Sequence, residues 1–79
     1  MSYSPPKILV VDEDPGARLK ISGELKSHNC AVLEADSAKQ ALSLIAAEKP
    51  DLVTTDAELP DMSGFDFCRT LASPKYERL

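Results

Sequence analysis

A chain of 79 residues suffices for one domain and sits at the lower edge of what a single hydrophobic core stabilises unaided. Its 43% hydrophobic and 28% charged residues give a globular balance that excludes a disordered chain. The formal net charge of -4 argues against a general nucleic-acid binder, and the absence of Trp removes a frequent binding anchor.

Along the chain, Met1 to Pro6 reads as a short extended leader, because Pro5 and Pro6 fix φ and withhold backbone donors. Ile8-Leu9-Val10-Val11 is a continuous aliphatic run, the mark of a strand buried on both faces of a parallel sheet. It stops at Asp12-Glu13-Asp14. Asp14-Pro15 then starts a helix, with Asp as cap and Pro at the first helical position. Ala17, Ile21 and Leu25 form its expected core row, Leu19 falls off that row, and Arg18 and Lys20 read as a solvated face. Ser27-His28-Asn29 ends the helix, with His28 read as a solvated cap of its carbonyls.

Ala31 to Ala35 is a second strand. Ser37-Ala38-Lys39-Gln40 has the form of a capping box, and Ala38, Ala41, Leu42 and Ile45 make the apolar face of a second helix that Pro50 stops. Leu52-Val53-Thr54-Thr55 is a third strand and ends in Asp56. A turn-rich loop, Leu59 to Gly64, precedes a third helix from Phe65 to Ala72. Phe65, Cys68 and Leu71 are its expected core row, with Phe65 rather than Phe67 in the core; Ser73-Pro74 breaks the helix, and Tyr76 to Leu79 reads as a frayed tail.

Cys30 and Cys68 show no CxxC or metal-type spacing and read as small apolar residues in a reducing compartment. Met1 to Pro6 lacks the apolar core of a secretory signal, and no apolar run approaches bilayer length. A soluble, cytoplasmic protein without a membrane partner is expected.

The alternation β-α-β-α-β-α predicts an α/β fold with a parallel sheet and helices on both faces. In such sheets ligands bind beyond the carboxyl ends of the strands. If the first and third strands are neighbours, Asp12, Glu13 and Asp56 converge on that edge. Three carboxylates in partial burial need a counter-charge, and Mg²⁺, a hard cation with oxygen ligands, is the natural one. A carboxylate beside Mg²⁺ is suited to accept a phosphoryl group as an aspartyl phosphate. The plain alternative makes these acids helix caps and solvated loop charges, a description that fits Asp14.

These residues also carry a family resemblance. Lys7-Ile8-Leu9-Val10-Val11-Asp12-Glu13-Asp14 resembles the opening of bacterial response-regulator receiver domains. Pro50 to Asp56 resembles their third strand with its phosphoacceptor, and Leu59-Pro60-Asp61-Met62-Ser63-Gly64-Phe65 resembles the loop that follows. The resemblance covers residues 7–79, and two motifs and the spacing between them agree. It implies a flavodoxin-like, doubly wound receiver fold, represented by its first three βα units. It implies Asp56 as phosphoacceptor, with Asp12, Glu13, Asp56 and the backbone carbonyl of Glu58 as Mg²⁺ ligands. The Glu58 side chain falls where the family tunes the lifetime of the phosphoryl group. The implied partner is a sensor histidine kinase, and the implied role is a phosphoacceptor in two-component signalling rather than an enzyme.

The family has five βα units, so two of its functional positions have no counterpart here. They are the Ser or Thr ending the fourth strand and the Lys ending the fifth; Thr54, Thr55 and Lys75 do not match them. In the family's strand order the third strand would become an open edge carrying Leu52 and Val53, a pairing hazard. A second copy or a partner could complete that edge, or the chain could be a fragment of a longer protein.

Two rival functions remain. A receiver-like interaction or dimerisation module without phosphorylation fits the missing Ser/Thr and Lys, but not the presence of Asp12, Glu13 and Asp56. A haloacid-dehalogenase-like phosphatase would use Asp12 as nucleophile and Asp14 as general acid, but the Thr of its DxDxT pattern is Gly16 here. No glycine-rich nucleotide-binding motif is present.

Overall fold

The aliphatic run after Lys7 places β1 (Lys7–Val11) at the centre of a parallel sheet, between β2 (Ala31–Ala35) and β3 (Leu52–Thr55). The structure is a computed structural model and describes residues 4–72. Helices α1 (Pro15–Ser27), α2 (Ala38–Glu48) and α3 (Gly64–Leu71) alternate with the strands. The element order and the neighbouring of β1 and β3 match the expectation from sequence. The leader's described part, residues 4–6, forms no regular element, and the Pro6 carbonyl already accepts the Ala31 N–H at 2.9 Å. The expected break at Ser73-Pro74 and tail at Tyr76 to Leu79 lie outside the described residues. Among the described residues no helix is long and apolar enough to cross a membrane.

Ile8, Leu9, Val10 and Val11 are all buried, which confirms a strand covered on both faces. Each such side chain contributes about 1.5–3 kcal/mol by leaving water. Strand alternation sorts the two faces. Leu9 stands opposite Leu33 and Val53 in the register, and these three share a core with Ala38, Ala41 and Ile45 of α2 and Phe67 of α3. The other face carries Ile8, Val10, Val32, Glu34, Leu52 and Thr54. Helix α1 covers it over β1 and β2, where Arg18 Nε reaches Glu34 Oε1 at 3.0 Å.

The helix starts follow their capping residues. Asp14 Oδ2 accepts the Ala17 N–H at 2.9 Å, with Pro15 at the first helical position. Ser37 Oγ accepts the Gln40 N–H at 3.2 Å, and Gln40 Oε1 reaches back to the Asp36 N–H at 2.8 Å. At the far ends, Asn29 and Lys49 take the left-handed backbone conformation that terminates a helix. His28 caps α1 through its backbone N–H, which donates to the Leu25 carbonyl.

Four expectations are corrected. Phe67, not Phe65, is the core aromatic: Phe67 is 0% exposed and Phe65 75%. The Ser63 cap and the close approach of Gly64 to Asp56 set the phase of α3, so Gly64, Phe67 and Leu71 face inward. Cys68, one position from Phe67, is therefore exposed. In α1 Ser22 is buried, Ala17, Arg18 and Leu25 are half-buried, and Ile21 is exposed. Arg18 turns toward the sheet, with Nε 3.0 Å from Glu34 Oε1, so it is not part of a solvated face.

Candidate functional site

Every strand of a parallel sheet ends on one edge, and here that edge is acidic. Val11 and Thr55 are register partners, and the Asp56 N–H donates to the Val11 carbonyl at 3.0 Å. On the other side the Asp12 N–H donates to the Ala35 carbonyl at 3.0 Å. The ladder thus extends just past both strands and sets Asp12 and Asp56 side by side, the first residues beyond β1 and β3.

Each of these carboxylates is half committed. Asp12 Oδ1 accepts the Asp14 N–H at 3.0 Å, and Asp56 Oδ1 accepts the Ala57 N–H at 2.8 Å. Among the described residues neither carboxylate has an ion-pair partner or a second hydrogen bond. Glu13, the next residue along, is exposed. Among the described residues no three acidic, His or Cys side chains stand close enough together to hold a metal ion. The backbone brings Asp12 and Asp56 to one edge, and the side chains are not gathered around a common centre. The donor set is nevertheless all oxygen and carries uncompensated negative charge, which suits a hard divalent cation.

The loop after Asp56 is held firmly. The Gly64 N–H donates to the Ala57 carbonyl at 2.7 Å, and Leu59 N–H to the Met62 carbonyl at 3.1 Å. Glu58 pairs with Ser63 as an isolated antiparallel bridge, and Leu59 is buried. Gly64 packs so closely that an added Cβ would stand 2.3 Å from the Asp56 carbonyl oxygen. Space, not backbone angle, demands glycine there.

Two residues whose roles sequence reasoning missed support this edge. Asp61 accepts the Ala38 N–H at 2.9 Å and the Lys39 N–H at 2.8 Å, joining the loop to the start of α2. Hydrogen bonds from Ala38 and then Lys39 hold its carboxyl below the usual aspartate value. The signal was available: α2 has no acidic residue in its own first turn to meet those donors. The other is Arg18, whose Nη1 donates to the Asp12 carbonyl at 2.8 Å while Nε pairs with Glu34. Glu34, a lone charge within an otherwise apolar strand, was the clue, since a charge there needs a partner.

The Response regulator receiver domain family model matches residues 8–78. The Response regulator MprA of Mycolicibacterium vanbaalenii is 38% identical over 69 residues, covering 87% of this chain and 30% of that protein. Among solved structures, the chemotaxis response regulator CheY4 of Vibrio cholerae superposes with TM-score 0.86 at 25% identity, over 91% of this chain and 60% of that one. The BeF3-activated N-terminal receiver domain of Klebsiella pneumoniae RstA superposes with TM-score 0.80 at 38% identity, over 84% of this chain and 56% of that one. The chain therefore spans less than two thirds of the length of these relatives. A central aliphatic strand followed by acids, a neighbouring strand followed by Asp56 and a match across residues 8–78 agree: the chain belongs to the response regulator receiver domain family of two-component systems.

Proposed function

We propose that this chain accepts a phosphoryl group on Asp56 from a sensor histidine kinase in the cytoplasm. The observation that carries the reading is the placement of Asp56 and Asp12 side by side beyond β3 and β1, on the edge where this class of sheet binds ligands. Residues 7–79 would be the receiver part of the chain.

In the proposed step, the Asp56 oxygen that accepts no hydrogen bond attacks phosphorus. The phosphorus–nitrogen bond of phosphohistidine breaks, and its electron pair leaves with the imidazole. The Ala57 N–H, 2.8 Å from Asp56 Oδ1, holds the carboxylate in place as the acyl phosphate forms. Asp12, Glu13, Asp56 and the Glu58 backbone carbonyl would hold Mg²⁺. When bound, that ion would offset the negative charge of the phosphoryl oxygens. A small phosphodonor in place of the kinase, followed by peptide mass mapping, tests the assignment. Label on Asp56 supports it; label on Asp12 supports a phosphatase-like chemistry instead.

A second reading concerns partners. The outer edge of β3 pairs with no strand among the described residues, and Leu52 beside it is 54% exposed. A second copy of the chain, or a partner, adding a strand along β3 would cover both the unpaired backbone groups and Leu52. Sedimentation across a concentration series tests the homodimer: a strict monomer at high concentration contradicts it.

A further inference from the structure

We propose that Arg18 is a positioning residue for the cation site, fixing the Asp12 end of β1 with Glu34 as its counter-charge. This rests on the reading of Asp12 as a Mg²⁺ ligand.

A parallel ladder that continued past Asp12 would give the Asp12 carbonyl the N–H of Ser37 as its donor. That rung is absent because β2 stops at Ala35 and Ser37 has become the cap of α2. Arg18 replaces it, with Nη1 at 2.8 Å from the Asp12 carbonyl oxygen. Its Nε, 3.0 Å from Glu34 Oε1, ties the same guanidinium to β2. One planar group therefore joins α1 to the end of β1 and to Glu34 near the end of β2.

The two side chains are 20% and 28% exposed, so the pair is shielded enough to hold one geometry. Charge is balanced as well. A lone guanidinium beside Asp12 would repel a divalent cation, and Glu34 cancels it. The pair thus fixes the strand end without changing the net charge that the cation meets. The fork shape matters, because a lysine ammonium cannot direct two coplanar donors to a carbonyl and a carboxylate.

The test is a Mg²⁺ titration of the full 79-residue chain, read from backbone amide NMR shifts around Asp12 and Ala57. The double variant Arg18→Ala/Glu34→Gln removes one charge of each sign and leaves the net charge unchanged. Its Mg²⁺ affinity should fall about tenfold, as for other residues that orient metal ligands. Arg18→Lys, which keeps the charge, should fall between the two. Lys7→Ala, which removes the tie to Glu48 at the opposite end of β1, should bind as the wild type does. Wild-type affinity in both Arg18 variants overturns the proposal, and so does an equal loss in Lys7→Ala, which would report general loosening. If the double variant unfolds, Arg18→Lys alone decides. No saturable shift in the wild-type chain overturns the cation reading itself, and this inference with it.

Discussion

Asp61 holds the backbone N–H of Lys39 at 2.8 Å across 22 residues of sequence, and its other oxygen holds that of Ala38 at 2.9 Å. With Ser37 Oγ on Gln40, the first free amides of α2 are satisfied by two capping residues from different parts of the chain. The loop that begins at Asp56 is thereby anchored to a second helix.

This anchor makes stability depend on acid. The folded-state pKa of Asp61 is lowered, chiefly by the Ala38 and then the Lys39 hydrogen bond. A lowered folded value means the contribution is fully present above the unfolded value, and is lost as pH falls through the folded one. The expected outcome is an acid-side loss of stability that shrinks in Asp61→Asn, whose amide keeps an acceptor but does not titrate. Urea denaturation across an acid pH series measures it. Identical acid limbs in the two proteins would remove Asp61 from the account.

Phe67 and Phe65 should separate sharply. Phe67→Ala empties the centre of the core on the α2–α3 side and should cost about 3–5 kcal/mol, enough to unfold a domain this small. Phe65→Ala lies on the surface and should change stability by no more than about 0.5 kcal/mol. Thermal denaturation of the two variants checks the assignment of the α3 face.

Gly64→Ala should distort the loop and the backbone at Asp56 together. The new Cβ would meet the Asp56 carbonyl oxygen at 2.3 Å and the Ala57 Cα at 3.1 Å, both backbone atoms with little room to move. A cost of about 1–3 kcal/mol is expected. Backbone shifts at Asp56 and Ala57 in an NMR spectrum should exceed those elsewhere.

Helix α1 offers the opposite sign. Ser22 is buried, and its Oγ has no hydrogen-bond partner. Ser22→Ala removes an unpaired buried hydroxyl and should stabilise by about 1 kcal/mol. Gly23→Ala, in an exposed stretch where an added Cβ meets nothing within 4 Å, should add about 0.5–1 kcal/mol through helix propensity. Denaturant midpoints measure both gains.

The elements and their order were legible because each carries local punctuation. Asp14-Pro15, Ser37 and Pro50 mark helix ends by their own chemistry, and the unbroken run Ile8 to Val11 reveals a strand covered twice. Helix phase was less legible. Phe65 and Phe67 both fit a helical period with other apolar residues, and the Ser63 cap with the close approach of Gly64 to Asp56 decides between them. The same holds for α1, where Ile21 is exposed and Arg18 instead turns toward Glu34 on the sheet. Asp12 and Asp56 were readable as strand ends. Their supports, Arg18 and Asp61, left only indirect signs, the lone charge of Glu34 in β2 and the acid-free first turn of α2, since each bonds to backbone that only the folded chain brings near.

The most direct measurement is intact mass after incubation with a small phosphodonor, with and without Mg²⁺, for the wild-type chain and Asp56→Asn. A phosphoryl adduct that requires Mg²⁺ and disappears in Asp56→Asn is the expected result. An adduct that persists in Asp56→Asn, or a folded wild-type chain that gains no mass, would contradict the assignment of Asp56 as the acceptor in this chain.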